Sequence, residues 1–440
     1  MGQLCKPKII PHLGEPLDTA VALLQHHRDE DYYGYELGDV WYIGIRSYAS
    51  LVIGPDGTNA TWTRQDGQRQ AKIADSSLND ISRSFISEFS ASGRIFGQVG
   101  FNYTAHTSGQ AYIPGQWPLL SLMVPFIQVV ISRESIILQS FDESQTMGPL
   151  NFLQNYRNGG PADLGPNRYP PVDILTNPDE YKVRVAKSIL EIKKGKYTTA
   201  VPSRIVNLPQ RVDMLATLLH GRQANTPART FTFSHLGIQA TGFSPEIVLS
   251  IENQVASTDA LAGTRLWTEE NCGSIANPLL NDPKEVFEHV IAVRGAIRRL
   301  TRLCSPDTIS VKRFMSIMPR GNVQHIFSRV TGCLLPGKDG WDSIRSNITV
   351  PGVPSQRNME AIQTFEPTPR DLYGGAVLML DGTNLFEATL AIRTVFQDKS
   401  CQWLQAGAGI TEHSNPEREF VETCEKLASV APYLVAECTS

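Results

Sequence analysis

Hydrophobic and polar positions alternate with a period of two over much of this 440-residue chain, the mark of strands that bury one face. Two such runs, DVWYIGIRSYASLVI and NATWTRQ, lie between residues 36 and 66 on either side of Pro55-Asp56-Gly57, and so predict a hairpin. Similar runs recur at 95–103, 122–138, 230–243, 247–251 and 375–380, so a large, mainly antiparallel sheet system is expected. LFEATLAIRTVFQ (385–397) alternates throughout and reads as one strand. Phe386, Leu390, Ile392 and Phe396 share one face, and Thr389, Arg393 and Gln397 share the other.

Three segments switch to helical grammar, each with a polar cap followed by proline at the first helical position: Asn177-Pro178, Asp282-Pro283 and Asn415-Pro416. In the second, Val286, Val290, Val293, Ile297 and Leu300 form an apolar stripe with Glu285 and Glu288 beside it. In the third, Phe420, Cys424 and Leu427 turn inward while Glu419, Glu422 and Lys426 line another face. Residues 143–180, rich in Asn, Gly, Pro and Asp, read as a long surface connection. It divides a less characteristic β-rich part (1–150) from a catalytic part (180–434) within one composite domain, 1–440.

Composition narrows the partner. With 41% hydrophobic residues and a net charge of −4, the chain can bury a large core and has no massed basic face for nucleic acid. A small molecule is the expected partner, and a monomer is the working expectation. The seven cysteines are scattered without CxxC spacing, which fits a reducing, cytoplasmic location. The N-terminus lacks the apolar core of a signal peptide, and the greasiest stretch, 117–138, contains Pro118, Pro125, Arg133 and Glu134. A membrane span is not expected, and the sequons at Asn59, Asn102 and Asn347 therefore carry no weight.

The chemistry is concentrated in four glutamates. Glu285 with Glu288, and Glu419 with Glu422, are each spaced i, i+3, so each pair projects from one helical face. A single pair of this kind is ordinarily a solvated surface. Two pairs brought together would make an all-oxygen cage suited to Mg2+. QAGAGIT (405–411) places Gly407 and Gly409 before the third helix, where bare amides can approach an anion. Arg393 can present a bidentate fork to a carboxylate, and His289 and His325 are candidate polar walls. HExxH, GxSxG, GxGxxG and P-loop motifs are all missing from the sequence.

Taken together, GKYTTAVPSR (195–204), NTPARTF (225–231), GFSPE (242–246), LAGTR (261–265), DPKEVFEHVIAVR (282–294), RGNVQHIFS (320–328), LYGGAVLML (372–380) and LQAGAGITEHSNPEREFVETCEKL (404–427) resemble the chorismate-utilising enzymes. The similarity is strongest to their salicylate synthase branch. It implies an α+β fold with two stacked large antiparallel sheets flanked by helices. It also implies Mg2+-dependent conversion of chorismate to isochorismate, followed by pyruvate elimination to salicylate, in siderophore or other secondary metabolism. Carried over by motif, Glu285, Glu288, Glu419 and Glu422 hold the metal, and Glu246 is the general acid. Tyr373, Arg393, Lys426 and the amides of Gly407 and Gly409 hold the enolpyruvyl carboxylate. Gly263, Thr264, His325 and Thr349 line the ring.

The sequence departs from the resemblance at Thr199, where salicylate and isochorismate synthases carry a water-activating lysine. Threonine is no base at neutral pH, although its hydroxyl can orient water or ammonia. Lys196 lies three residues away and is expected on the opposite strand face. Lesser departures are Ser355, in place of a lysine, and Asp259-Ala260, in place of Glu-Pro. Alternatives that follow are an elimination-only isochorismate pyruvate lyase, an ammonia-using enzyme of the aminodeoxyisochorismate or anthranilate synthase kind, and a silent chorismate binder.

Overall fold

Two long strands organise the computed structural model, which describes residues 3–64, 67–72, 77–156, 169–266, 279–347, 356–382 and 384–437. Val40–Ile53 and Leu120–Ile131 run antiparallel along their whole lengths, with a register shift between Ser47 and Ala49. Arg46, at φ 57°, lies beside that irregularity, and such a bulge bends a strand pair. Before the bend Val40–Ile45 pairs with Tyr32–Leu37; after it Ala49–Ile53 pairs with Asn59–Arg64 in the expected hairpin. Leu120–Ile131 divides in the same way between Arg94–Val99 and Ser135–Ser140. Both strands therefore belong to two sheets at once.

The first sheet continues from Tyr32–Leu37 through Arg229–His235, Ile238–Ser244, Thr394–Gln397, Gln402–Gly407 and Ser203–Asn207. The second continues from Arg94–Val99 through Ala376–Asp381, Leu385–Leu390, Ile247–Glu252, Val255–Leu266, Val323–Cys333 and Ser310–Arg320. Because of the shared strands, all nineteen described strands form one curled antiparallel network. This is the α+β architecture expected from the sequence. Tyr33, Phe231, Phe233 and Phe396 from one sheet and Phe96, Met123 and Met379 from the other pack into a single buried cluster. Each fully buried side chain of this size contributes about 1.5–3 kcal/mol of transfer free energy, so this cluster holds the two sheets together.

The chain crosses from the first sheet to the second between Ser244 and Ile247, and returns between Leu390 and Thr394. The expected single strand over 385–397 is thus two strands in different sheets. Arg393, at φ 52°, takes the turn between them. Hydrogen bonds tie the two crossings together: Phe243 N–H donates to the Arg393 carbonyl, and Leu390 N–H and the Thr389 hydroxyl donate to the Glu246 carbonyl.

All three helices start at the expected prolines, and two of the three polar residues before them cap through their side chains. Asp282 accepts from the amides of Lys284 and Glu285, and Asn415 from those of Glu417 and Arg418. Asn177 differs, adopting φ 52° with no side-chain cap. The helix Pro283–Thr301 packs on Val255–Leu266 and Val323–Cys333. It buries Glu285, His289, Ala292, Val293, Ala296 and Leu300, whereas Val290 is 40% exposed. Its inward face is therefore rotated from the expected valine stripe towards the glutamates. The expected connection at 143–180 contains the helix Met147–Asn155. Among the described residues no helix is long and apolar enough to cross a membrane.

Candidate active site

A cleft lies at the two crossings. It is partly open to solvent and has about 90 Å3 of free cavity volume. Glu246, Gly263, Thr264, Glu288, His325, Tyr373, Arg393, Gly407, Gly409, Glu422 and Lys426 all line it. Glu285 and Glu419 are buried next to their partners. Thr199 is buried beside the bridge between Ala200 and Ile410, and Val201, two residues on, lines the cleft. Thr349 and Ser355 lie outside the described residues. The apolar wall, Leu261, Ala262 and Ile392, escaped sequence reading because such residues look the same in any sheet interior.

The two acidic helices do converge, and their meeting point is a lysine. Lys284 Nζ lies 3.4 Å from Glu285, 3.3 Å from Glu288, 3.2 Å from Glu419 and 3.9 Å from Glu422. Burial raises the pKa of Glu285 and Glu288, and burial with the neighbouring Glu422 pushes Glu419 up to about 7. Burial works in the same sense on Glu422, yet Lys426 and Lys284 hold it below the usual range. Glu285 is fixed by the Thr264 amide at 2.8 Å. Gly263 makes that contact possible: it takes φ 81°, and a Cβ there would meet Glu285 Oε2 at 3.2 Å.

Among the described residues no three acidic side chains stand at ready metal-binding geometry, and the Lys284 ammonium sits between the four glutamates. The donor set nevertheless suits a hard divalent cation. Glu419 Oε2 is buried without a hydrogen-bond donor, Glu288 Oε1 has the Lys284 ammonium at 3.3 Å, and oxygens so placed in a buried site favour a cation.

The remainder of the cleft is cationic and hydrogen-bonding. Arg393 Nη2 lies 3.0 Å from His325 Nε2, and His325 Nδ1 lies 3.1 Å from the Thr264 hydroxyl. Burial, then Arg393 and Lys426, push the His325 pKa well below its ordinary value, so the ring is neutral. Burial lowers the Arg393 pKa to about 10, which leaves the guanidinium charged at neutral pH. Lys426 donates to the Gly407 carbonyl at 2.9 Å and to Glu422 at 2.7 Å. Arg370, paired with Glu366 and stacked 5.5 Å from the Tyr373 ring, steadies that side chain. His289 is different: its Nε2 bonds Ser328 at 2.8 Å and it lies off the cleft, a structural residue.

Gly407 and Gly409 adopt no positive φ, so they do not form a nest of alternating handedness. Gly409 lies close against the acidic pair: a Cβ there would stand 3.1 Å from Glu288 Oε1, at the end of a movable side chain. Glu246 is 3% exposed. Burial drives its pKa well above the usual carboxylate range, against the attraction of Arg299, and it holds a proton where a solvated glutamate would not. Lys196 pairs with Glu191 in solvent, its side chain 59% exposed, and is thereby ruled out as a replacement base.

A buried acid, paired carboxylates and a charged arginine in one cleft define an enzyme acting on a small anionic substrate. Residues 32–432 match the chorismate binding enzyme family, and the chain belongs to it. It is 33% identical to the salicylate synthase of Mycolicibacterium paratuberculosis, over 96% of this chain and 94% of that protein. It is also 33% identical to anthranilate synthase component 1 of Methanothermobacter thermautotrophicus, over 60% of this chain and 58% of that one. The menaquinone-specific isochorismate synthase of Escherichia coli shares the fold, with a TM-score of 0.73 at 17% identity, covering 98% of this chain and 95% of that one.

Proposed function

We propose that the protein is a Mg2+-dependent salicylate synthase, converting chorismate to isochorismate and then to salicylate and pyruvate. The observation that carries this reading is the placement of Glu246, whose pKa burial raises, in the same cleft as Glu288, Glu422 and Arg393. Full-length likeness to a salicylate synthase supports it. Glu285, Glu288, Glu419 and Glu422 would hold the ion. When bound, Mg2+ supplies positive charge against the ring carboxylate. Arg393, Tyr373 and Lys426 bind the enolpyruvyl carboxylate, and Gly263, Thr264 and His325 shape the ring pocket.

In the first reaction Glu246 gives its proton to the departing ring hydroxyl, which leaves as water while another water adds to the ring. In the second, the bond between ring carbon and enolpyruvyl oxygen breaks and one ring hydrogen leaves with the pyruvate. Only the first reaction needs a base for incoming water, and Thr199 supplies none. That residue supports a second reading, an enzyme that performs the elimination from isochorismate alone. An ammonia-using reaction is the third outcome to be separated.

Pure protein with Mg2+ should be given chorismate, isochorismate, or chorismate with ammonium, and the products identified by mass. Salicylate from chorismate establishes the full reaction, and salicylate from isochorismate only establishes the lyase. An aminated product would identify ammonia as the nucleophile, and no product from any mixture would overturn the enzymatic reading. Cytoplasmic location and a siderophore-related product belong to the same proposal.

A further inference from the structure

We infer that Lys284 is a tethered cation that neutralises the acidic cleft in the absence of metal and must leave it when a divalent ion enters. The inference deepens the Mg2+ reading above and rests on it for the identity of the incoming ion. Lys284 Nζ is within 3.2–3.9 Å of a carboxylate oxygen on each of four glutamates from two helices, and its side chain is only 15% exposed. Without a cation there, four mostly buried carboxylates would face one another. At such separations like charges in partly buried surroundings repel strongly.

The ammonium and a divalent ion exclude each other. Mg2+ draws carboxylate oxygens to about 2.0–2.1 Å, and an ammonium left among the same oxygens would stand against it as a like charge. Lys284 can withdraw: it sits in the first turn of its helix, next to Pro283, on a flexible four-carbon stem with a compact charge. Lys426 is held differently, by the Gly407 carbonyl as well as Glu422, and stays in place. Ion binding is therefore an exchange of one cation for another. Its affinity is the difference between two occupants of the cage, and the metal-free protein keeps its two acidic helices together.

Calorimetric titration of wild type and Lys284→Gln with MgCl2, without substrate, tests this directly. The variant should bind Mg2+ at least tenfold more tightly, melt at a lower temperature without metal, and gain more from adding it. Lys284→Arg, which retains a cation, serves as the folding control and should bind Mg2+ as weakly as wild type or more so. In wild type, the rate of Lys284 acetylation, read by mass spectrometry, should rise when Mg2+ is added. Equal or weaker Mg2+ binding by Lys284→Gln, or unchanged acetylation on adding Mg2+, overturns the inference. If turnover of isochorismate still requires Mg2+ in that case, the functional reading survives while this one does not.

Discussion

Arg393 and His325 are joined by a 3.0 Å contact between Nη2 and Nε2, and that contact decides the state of the imidazole. A guanidinium donates and never accepts, so Nε2 carries the lone pair and Nδ1 carries the hydrogen, directed to Thr264. One arginine at a strained φ of 52° thus orients the ring and presents its remaining donors to the cleft. Arg393→Lys should raise KM for the substrate at least tenfold, in line with the roughly 1.5–3 kcal/mol of a charge-assisted hydrogen bond. Steady-state kinetics measure that, and 15N spectra of Arg393→Met, which offers Nε2 no donor, should show the loss of the single His325 tautomer.

Glu246 should separate activity from stability. Glu246→Gln removes the proton donor and should lower turnover about 10²–10⁴-fold. The folded-state pKa is raised, so the native protein holds a proton that the unfolded chain has lost, and stability falls as pH rises above the unfolded value near 4.5. The variant should therefore melt no lower than wild type at pH 7 and lose less stability as pH rises from about 4.5, as calorimetry would show.

Thr199→Lys restores a candidate base beside a cleft-lining residue, Val201. If the first reaction is limited by the missing base, this variant should form salicylate from chorismate at least tenfold faster than wild type. The rate from isochorismate should stay within a factor of about two. A gain with both substrates, or with neither, would show that the position does not serve water addition.

His235 gives an acid-sensitivity test away from the cleft. It is fully buried, with Nδ1 at 3.1 Å from the Ser121 hydroxyl, Nε2 at 4.0 Å from Asp31 and the Tyr33 ring beside it. Burial lowers its pKa to about 4, opposed by Asp31. Below the unfolded value of about 6.5 the unfolded chain takes up a proton that the native ring refuses. On the order of 2–3 kcal/mol of stability is thereby lost between pH 6.5 and 4. His235→Gln should flatten that part of the melting-temperature profile.

Much of the site was legible because its signals are local. The caps at Asp282 and Asn415, and the i, i+3 glutamates behind them, need only helical spacing to be read. What escaped depends on partners distant in sequence. Residues 385–397 keep one alternation yet belong to two sheets, because Leu385–Leu390 pairs with Ile247–Glu252 whereas Thr394–Gln397 pairs with Ile238–Ser244. The valine stripe misjudged the helix at Pro283 because its inward face meets a polar cleft, where glutamate and histidine are buried in place of aliphatics. Lys284 had a faint signal, i to i+4 with Glu288, but its contacts with Glu419 and Glu422 required the second helix.

The shared strands bear on how this chain can be shortened. Arg229–His235 has Tyr32–Leu37 on one flank, and Ala376–Asp381 has Arg94–Val99. A fragment beginning near residue 180 would carry every described residue assigned to the cleft, yet leave both of these strands with a bare row of amides and carbonyls. Exposed edges of that kind recruit other chains, so such a truncation is a recipe for insoluble aggregates.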